Sequence, residues 1–479
     1  MKKILLLLFI VSIYHSNAQT SFQHEFPNGN RFIKSNSVLQ NTDGSYYMVG
    51  REDTLVNATQ ARTGFVKMTD SLGNIQWTRY YPIVDCYGLE FNKIIKTSDS
   101  NFVIIGNYDD GFGIGPNFQD ALICKIDPAG NMLWYKKYGG VSGDDGVDVI
   151  ELQNHDLVML ASYGVEENLF VYNSFQLIRT DANGDSLWTK HYYNYDQLEK
   201  FPTGFTLTSD GGYLMVGSAT NFNGLTNSHI IKTNSQGDTL WTKTISPNTN
   251  SEIINAFPNQ GSVTIVSEND ISFNEWKPVI SNYSNSGILN WTDTIFDNDI
   301  NIVSAVQTAD NGFALACTKT DALNPYTFVL KTDSLGNKLW EQNLNLSILY
   351  EPNEIALTND QGLVITGTSL INTPSIHLTK IVDSSLVTTN LPLLNNNRLI
   401  SIYPNPAHDF ISFDVSENDL DKVNLGYLTD ICGNKIRTYS KEFIKVKKLN
   451  LSDLDTGIYF LILRTENNNY NLSGKIIKQ

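Results

Sequence analysis

The chain has 479 residues, a formal net charge of −16 and 41% hydrophobic residues. That length suits one large domain and a small one, and the acidity argues against a nucleic-acid partner. Residues 401–479 balance ten Lys/Arg against ten Asp/Glu, so the whole deficit lies before them, where its simplest use is solubility.

The first 18 residues read as a secretory signal. Lys2-Lys3 is followed by the apolar run Ile4–Ile13 and by Ser16-Asn17-Ala18, with cleavage expected after Ala18. The run is too short for a membrane anchor. No other segment qualifies, so the mature chain is expected to be exported, soluble and without a transmembrane segment.

Residues 19–390 are built on a repeat. An Asp, two residues, Gly, three residues, Trp frame occurs at Asp70–Gly73–Trp77, Asp127–Gly130–Trp134, Asp181–Gly184–Trp188 and Asp333–Gly336–Trp340. It recurs with Asn234–Gly237–Trp241 and Ser284–Gly287–Trp291. A polar turn and an apolar run precede each frame. The residue that opens the run is Tyr46, Phe102, Leu157, Tyr213, Val263, Phe313 or Leu363, at spacings of 56, 55, 56, 50, 50 and 50. The seventh copy lacks the Gly and the Trp.

Each unit reads as four short strands. The second, as in Tyr213–Gly217, is apolar throughout and fits burial on both faces. The fourth, as in Trp188–Tyr192, mixes polar and aromatic residues, as an outer strand would. Four-stranded units repeated at about this length predict an all-β fold, a seven-bladed β-propeller. The Asp closes a tight turn through its own backbone and Gly supplies φ > 0. The Trp is expected to pack on the neighbouring blade. Phe22-Gln-His-Glu-Phe26 resembles Trp188–Tyr192, so residues 20–26 are expected to supply the missing fourth strand of the last blade and close the ring.

Chemistry-bearing sets are sparse. Cys86, Cys124, Cys317 and Cys432 show no pair spacing and predict neither a disulfide framework nor zinc. The His residues are scattered, and no Gly-x-Ser-x-Gly elbow occurs. No catalytic residue, metal site or cofactor is assigned. Asn107–Gly115 carries oxygen ligands that could meet Ca²⁺, but it lacks the spacing of an EF-hand loop. The extra residues of repeats one to three fall between second and third strands, at Arg51–Thr63, Asn107–Gln119 and Ser162–Ser174. Read as loops, these would raise one side of one face, together with Asp85, Asp196, Asp299, Phe118 and Phe170. The candidate ligand-binding residues there are Tyr108, Asp109, Asp110, Phe112, Asp144, Asp145, Tyr163 and Tyr172.

The repeat stops near residue 384. A linker at 391–400 leads to Tyr403-Pro404-Asn405-Pro406, the strand Phe410–Asp414, a hairpin around Gly433, Gly457-Ile458-Tyr459 and a last strand bearing Lys475 and Lys478. Short strands with frequent turn residues predict a small Ig-like β-sandwich over 401–479. These residues resemble the type A C-terminal sorting domain of the type IX secretion system of Bacteroidota. The resemblance implies Sec export, recognition by the type IX machinery, and release or attachment at the outer-membrane surface. The matching residues are Tyr403, Pro404, Asn405, Pro406, Gly433, Gly457, Tyr459 and Lys475.

The Trp hairpin looks like the docking repeat of quinoprotein-like propellers, with one residue fewer between Asp and Gly. It is also similar to the Asp box of sialidases, with both gaps one residue longer. Neither enzyme's accessory residues are present: no adjacent Cys pair and no evident arginine triad. The repeats more closely resemble propeller repeats of secreted Bacteroidota proteins. The expectation is therefore a secreted or surface-displayed, non-enzymatic binder of an extracellular glycan or protein. The alternative is a carbohydrate-active hydrolase or lyase using acidic residues on the loop face.

Overall fold

A computed structural model describes the chain from residue 21 onward, except 57–58, 112–118, 141, 168–169, 194–198, 221–223, 246–249, 273–274, 296–299, 320–325, 345–349, 370–372, 383–396, 431–434, 453, 455 and 466–470. The signal segment, the linker core, Phe112, Phe118, Asp196, Asp299, Gly433 and Cys432 therefore lie outside the described residues. The chain divides into two compact units after Val382.

The first unit is all β and propeller-like. Repeats three to six each form a separate four-stranded antiparallel sheet in chain order, such as Glu199–Leu207, Tyr213–Thr220, Thr226–Thr233 and Thr239–Ile245. Repeats one and two do the same but are joined by a single bridge, Arg62 to Gly88. The last sheet holds Tyr350–Leu357, Leu363–Ser369 and Ser375–Ile381. Its fourth strand is Phe22–Pro27, which pairs antiparallel with Ser375–Ile381 in the register Phe22–Lys380 to Pro27–Ser375. The two ends of the repeat array thus share one sheet, as the likeness of Phe22–Phe26 to the other fourth strands predicts.

The Asp-Gly-Trp frame joins one sheet to the next. The Asp carboxylate accepts backbone N–H groups two and four residues on, as Asp70 does from Leu72 and Asn74 at 2.9 and 2.8 Å. The Gly has positive φ, +80° at Gly130. The Trp of one repeat lies on the Gly of the next. A β-carbon on Gly130 would stand 2.8 Å from Trp77, one on Gly184 2.7 Å from Trp134, and one on Gly237 3.0 Å from Trp188. At Gly73 the same place is filled by Phe22 and His24 of the closing strand. Repeat six differs: Gly336 faces Ile280. The Trp rings are half-buried, with an edge left open to solvent.

A companion residue strengthens the joint. Four places after the Trp, the hydroxyl of Tyr81 donates to Gly130 O at 2.8 Å and that of Tyr192 to Gly237 O at 2.8 Å. Tyr138 donates likewise to Gly184 O.

A second recurring element is a cation in the third strand beneath the first turn. Lys232 is buried and bonds Asp210 at 2.9 Å, and Lys331 is buried and bonds Asp310 at 2.9 Å. Arg179 holds Asp156 at 2.7 Å in the same way. Burial would raise the Asp210 carboxyl, but the Thr208 hydroxyl, Lys232 and the Gly212 N–H hold it down at about 2.

The connections read as loops are partly strand. Tyr46–Val56 pairs with Thr59–Thr69 down to Val56–Thr59, and Leu157–Glu167 pairs with Phe170–Thr180 down to Glu167–Phe170. The extra residues of repeats one and three therefore lengthen hairpins. Repeat five, Ser262–Ser272 with Glu275–Ser284, is extended too, though its total length is ordinary.

The second unit holds a five-stranded sheet containing Gly457–Thr465 and Asn471–Lys478, and a three-stranded sheet of Ser401–Tyr403, Phe410–Asp414 and Lys448–Asn450. Ile411, Phe413, Leu428, Leu461 and Leu463 share one core between them. No helix among the described residues is long and apolar enough to cross a membrane.

Three outcomes follow from this packing. Deleting residues 21–27 should turn Ser375–Ile381 into an edge strand, and hydrogen exchange by mass spectrometry should show faster exchange there than in the intact chain. Replacing Asp310 by Asn removes the counter-charge of buried Lys331 and should cost about 1–3 kcal/mol of stability in denaturant unfolding. Because the folded Asp210 carboxyl sits near 2 and an unfolded one near 4, its contribution is present above about pH 4. It is lost as pH falls toward 2, which a titrated melting series would show.

Candidate functional site

The first strand of every repeat carries a β-bulge. The extra residue is Asn36, Asn92, Val147, Thr203, Ile254, Val303 or Asn353 in turn. A bulge inserts one residue and re-aims the side chains beside it. All seven first strands contribute to the wall of one cavity of about 370 Å³. Contact with every first strand places it on the axis of the repeat array.

In most repeats the residue after the bulge ties one repeat to another; Gly204 in repeat four is the exception. Ser37 Oγ accepts Ile94 N at 3.3 Å, Ser304 Oγ accepts Ile355 N at 3.2 Å, and Glu354 Oε2 accepts Val38 N at 2.7 Å. The Asn255 amide donates to Ala305 O at 3.4 Å. Three of these positions are charged. Lys93 forms an ion pair with Glu354 inside the cavity, and Asp148 stands near both. Burial raises the Asp148 carboxyl although Lys93 and the Val149 N–H oppose it.

Two places before the bulges lies a second ring: Lys34, Glu90, Asp145, Phe201, Glu252, Asn301 and Glu351. The residue between the two rings is buried in every repeat, from Ser35 to Pro352. Strand alternation therefore puts both rings on the same, axial side. Strand direction puts this outer ring toward the end where the extended hairpins stand, and we take it as the mouth; of its members Glu252 lines a cavity. Its two sides differ. Near repeats one to three, Arg51 bonds Glu90 at 2.9 Å and Arg62 bonds Asp109 at 3.1 Å. On the far side Glu252 and Glu351 are exposed and form no ion pair among the described residues.

Glu252 borders a second cavity of about 270 Å³ that shares Thr203, Ile254 and Val303 with the first. Directly across the strand pair lies Glu268, 4% exposed, which accepts the Ile302 N–H. Burial pushes its carboxyl up to about 8; the Ile302 N–H opposes the shift, and the Glu252 charge adds to it.

The residues chosen from the sequence are mostly part of the scaffold. Tyr108 is buried, not a loop platform: its hydroxyl donates to Asp85 O at 2.8 Å and Lys137 lies over its ring at 4.1 Å. Asp144 is fully buried and accepts Gly140 N at 2.6 Å and Gly164 N at 2.9 Å. Burial lifts its carboxyl to about 6 against those bonds. Asp109 caps Gly111 N and pairs with Arg62, so it is not held open for Ca²⁺. Tyr163 packs against His191 with ring centroids 4.2 Å apart and the rings tilted by 50°. Asp110 and Tyr172 are half-buried, and Asp145 alone reaches the axial mouth. No metal-holding group of His, Cys, Asp or Glu occurs among the described residues. Cys86, Cys124 and Cys317 are free thiols.

The axial residues escaped the sequence reading. Lys93, Asp148 and Glu354 each lie nine residues before the start of the second strand. Aligning the repeats at that position would have set three charged residues in one layer.

In the second unit Asn405 bridges to the last strand, donating to Lys475 O at 2.7 Å and accepting Ile477 N at 2.8 Å. Tyr403 is exposed and donates to Asp414 at 3.1 Å. Tyr459 lies in the core, with its ring 3.6 Å from the place a β-carbon on Gly457 would take, and Lys475 is exposed.

Residues 401–479 match the family model described as a secretion system C-terminal sorting domain. This domain directs the chain to type IX secretion, and so to the cell surface or the extracellular space. No curated protein matches the chain. Among solved structures it is similar to a puromycin hydrolase S511A mutant complexed with PGG, with 12% identity and a TM-score of 0.47 over 70% of this chain. The match spans half of that hydrolase chain. The polysaccharide lyase Uly1 shares 10% identity at a TM-score of 0.49, over 72% of this chain and 89% of the lyase. Drosophila Plexin A in complex with Semaphorin 1b shares 8% at 0.42, over 77% of this chain and 90% of that one. Likeness of this order carries no functional argument.

Glu268 gives a pH test. Its carboxyl holds its proton to about pH 8 when folded but only to about 4 when unfolded, so its contribution to stability declines as pH rises across that range. Glu268→Gln should therefore melt higher than the parent at pH 9, with the difference shrinking toward pH 4. Equal differences at both pH values would show that the carboxyl is already ionised when folded.

Proposed function

We propose that the chain is a secreted seven-bladed propeller over residues 19–390 that binds an extracellular glycan at its axial mouth, without turning it over. A linker at 391–400 and an Ig-like sorting sandwich at 401–479 complete it. On this reading residues 1–18 are a cleaved signal, and the carrier is a Bacteroidota cell that displays or releases the propeller. The observation that carries the binding reading is the convergence of all seven first strands on one polar cavity. Asn36, Thr203, Asn255 and Asn353 offer it both donors and acceptors, as sugar hydroxyls require.

One observation favours a hydrolase or lyase as the second reading. Asp148 and Glu354 face the same cavity, and burial raises one of them, which is the asymmetry of an acid and base pair. A glycan array run beside a polysaccharide-degradation assay on the secreted chain separates the two. Retention of a glycan with no new reducing or unsaturated ends is expected. Turnover that disappears in Asp148→Asn would replace the binding reading with the enzymatic one.

A further inference from the structure

The mouth has one aromatic side chain among its seven positions. Phe201 is 38% exposed although its neighbours Lys200 and Pro202 are buried. It stands one strand turn above Thr203, which lines both cavities. The ring makes no aromatic contact among the described residues, and its place beside a polar cavity distinguishes it from the other exposed aromatic side chains of the chain. It is well explained as a platform for the C–H face of a sugar ring.

The charges beside it are not symmetric. In the adjacent repeat Glu252 is exposed at the same level, and Glu351 lies two repeats further on. The basic groups of the mouth, Lys34 and Arg51, belong to repeat one, which adjoins repeat seven and its Glu351 but stands across the ring from Phe201 and Glu252, and both are within ion-pair distance of Glu90. Glu268, across the strand pair from Glu252, is buried, and burial pushes its carboxyl up to about 8. Inside the cavity Lys93 is paired with Glu354. The side that holds the ring thus has exposed negative charge and no cation among its mouth positions; buried Lys200 and half-buried Lys277 and Lys319 lie outside them.

We propose that the axial mouth selects an amine-bearing glycan, with an amino-sugar residue stacked on Phe201 and its ammonium met by Glu252. Hydroxyls of the same or the next residue reach the amides and hydroxyl of the cavity, chiefly Thr203 and Asn255. A glycan rich in carboxylate or sulfate would instead be repelled by Glu252 and Glu351. This inference rests on the glycan-binding reading and narrows it to a chemical class.

The test uses the full secreted chain and three probes: a glucosamine hexamer, an N-acetylglucosamine hexamer and a galacturonate hexamer. Calorimetry at low and high salt reads the affinities. The glucosamine hexamer should bind about two- to fivefold tighter than its acetylated counterpart, the worth of one partly exposed ion pair. The advantage should fall with salt and vanish in Glu252→Gln. Phe201→Ala should weaken both amino-sugar oligomers while melting as the parent does. Equal affinity for the amine and acetyl forms would overturn the amine selectivity and leave the glycan reading standing. So would an amine preference that survives in the Glu252→Gln, Glu351→Gln double variant. Failure of all three probes, together with an empty glycan array, would remove both.

Discussion

The structure depends on a contact between consecutive repeats: the Trp of one lies on the Gly of the next hairpin. The turn must present bare backbone for this. A β-carbon at Gly130 or Gly184 would stand under 3 Å from the ring, closer than any real side chain tolerates. The same Gly supplies the positive φ that the turn needs, so one residue meets two demands. The Tyr hydroxyl four places on then takes the carbonyl that the turn leaves facing outward, as Tyr192 does at Gly237. Each repeat buries its last strand only by meeting its successor. Stability is therefore held between neighbours, and the array has unsatisfied ends unless it closes. Phe22–Pro27 satisfies both at once, completing the last sheet while placing Phe22 and His24 on Gly73.

At the axis the packing problem is reversed. Seven first strands converge, and their pleated backbones leave N–H groups facing the neighbouring strand. The bulges turn a side chain toward those groups, and Ser37, Ser304 and Glu354 accept them. The outer joint is apolar and shape-specific, so Gly and Trp recur there. The inner joint tolerates an acceptor, a small residue or a cation paired with an acceptor, so Ser, Asp, Asn, Glu, Gly and Lys all serve. That tolerance lets charged groups collect on the axis without disturbing the ring. It explains how Lys93, Asp148 and Glu354 come to share a cavity that the scaffold itself does not require.

The same contrast explains what could be read from the sequence. The outer joint has a fixed spacing and rare residue types, so the repeats, their four strands and the closing strand were legible. The sorting domain was legible for a similar reason: its Pro, Gly and Tyr positions serve strict local geometry, as Asn405 does by bridging Lys475 and Ile477. The bulges were not, because Asn, Asn, Val, Thr, Ile, Val and Asn share no chemistry. Length misled where residues 51–63 and 162–174 looked like loops. A hairpin grows by adding residues to both strands, and a count alone cannot tell that from a slack connection. Tyr108 and Asp144 misled for a related reason. Aromatic and acidic residues near turns are as useful for pinning connections, through Asp85 O or Gly140 N, as for holding a ligand.

Where function resides then follows from what the scaffold leaves uncommitted. On the side of repeats one to three, the charged groups of the upper face are spent on one another: Arg51 on Glu90, Arg62 on Asp109, Arg31 on Glu52. Such pairing fixes the extended hairpin of repeat one as a rigid wall. Across the mouth, Phe201, Glu252 and Glu351 hold nothing together, and removing any of them would cost the fold little. Residues that stabilise nothing yet stand in register around one opening are the ones available for a partner. On the proposed glycan reading, the walls rise on the mouth's own face, and a chain end would enter along the axis with its charge turned toward Glu252.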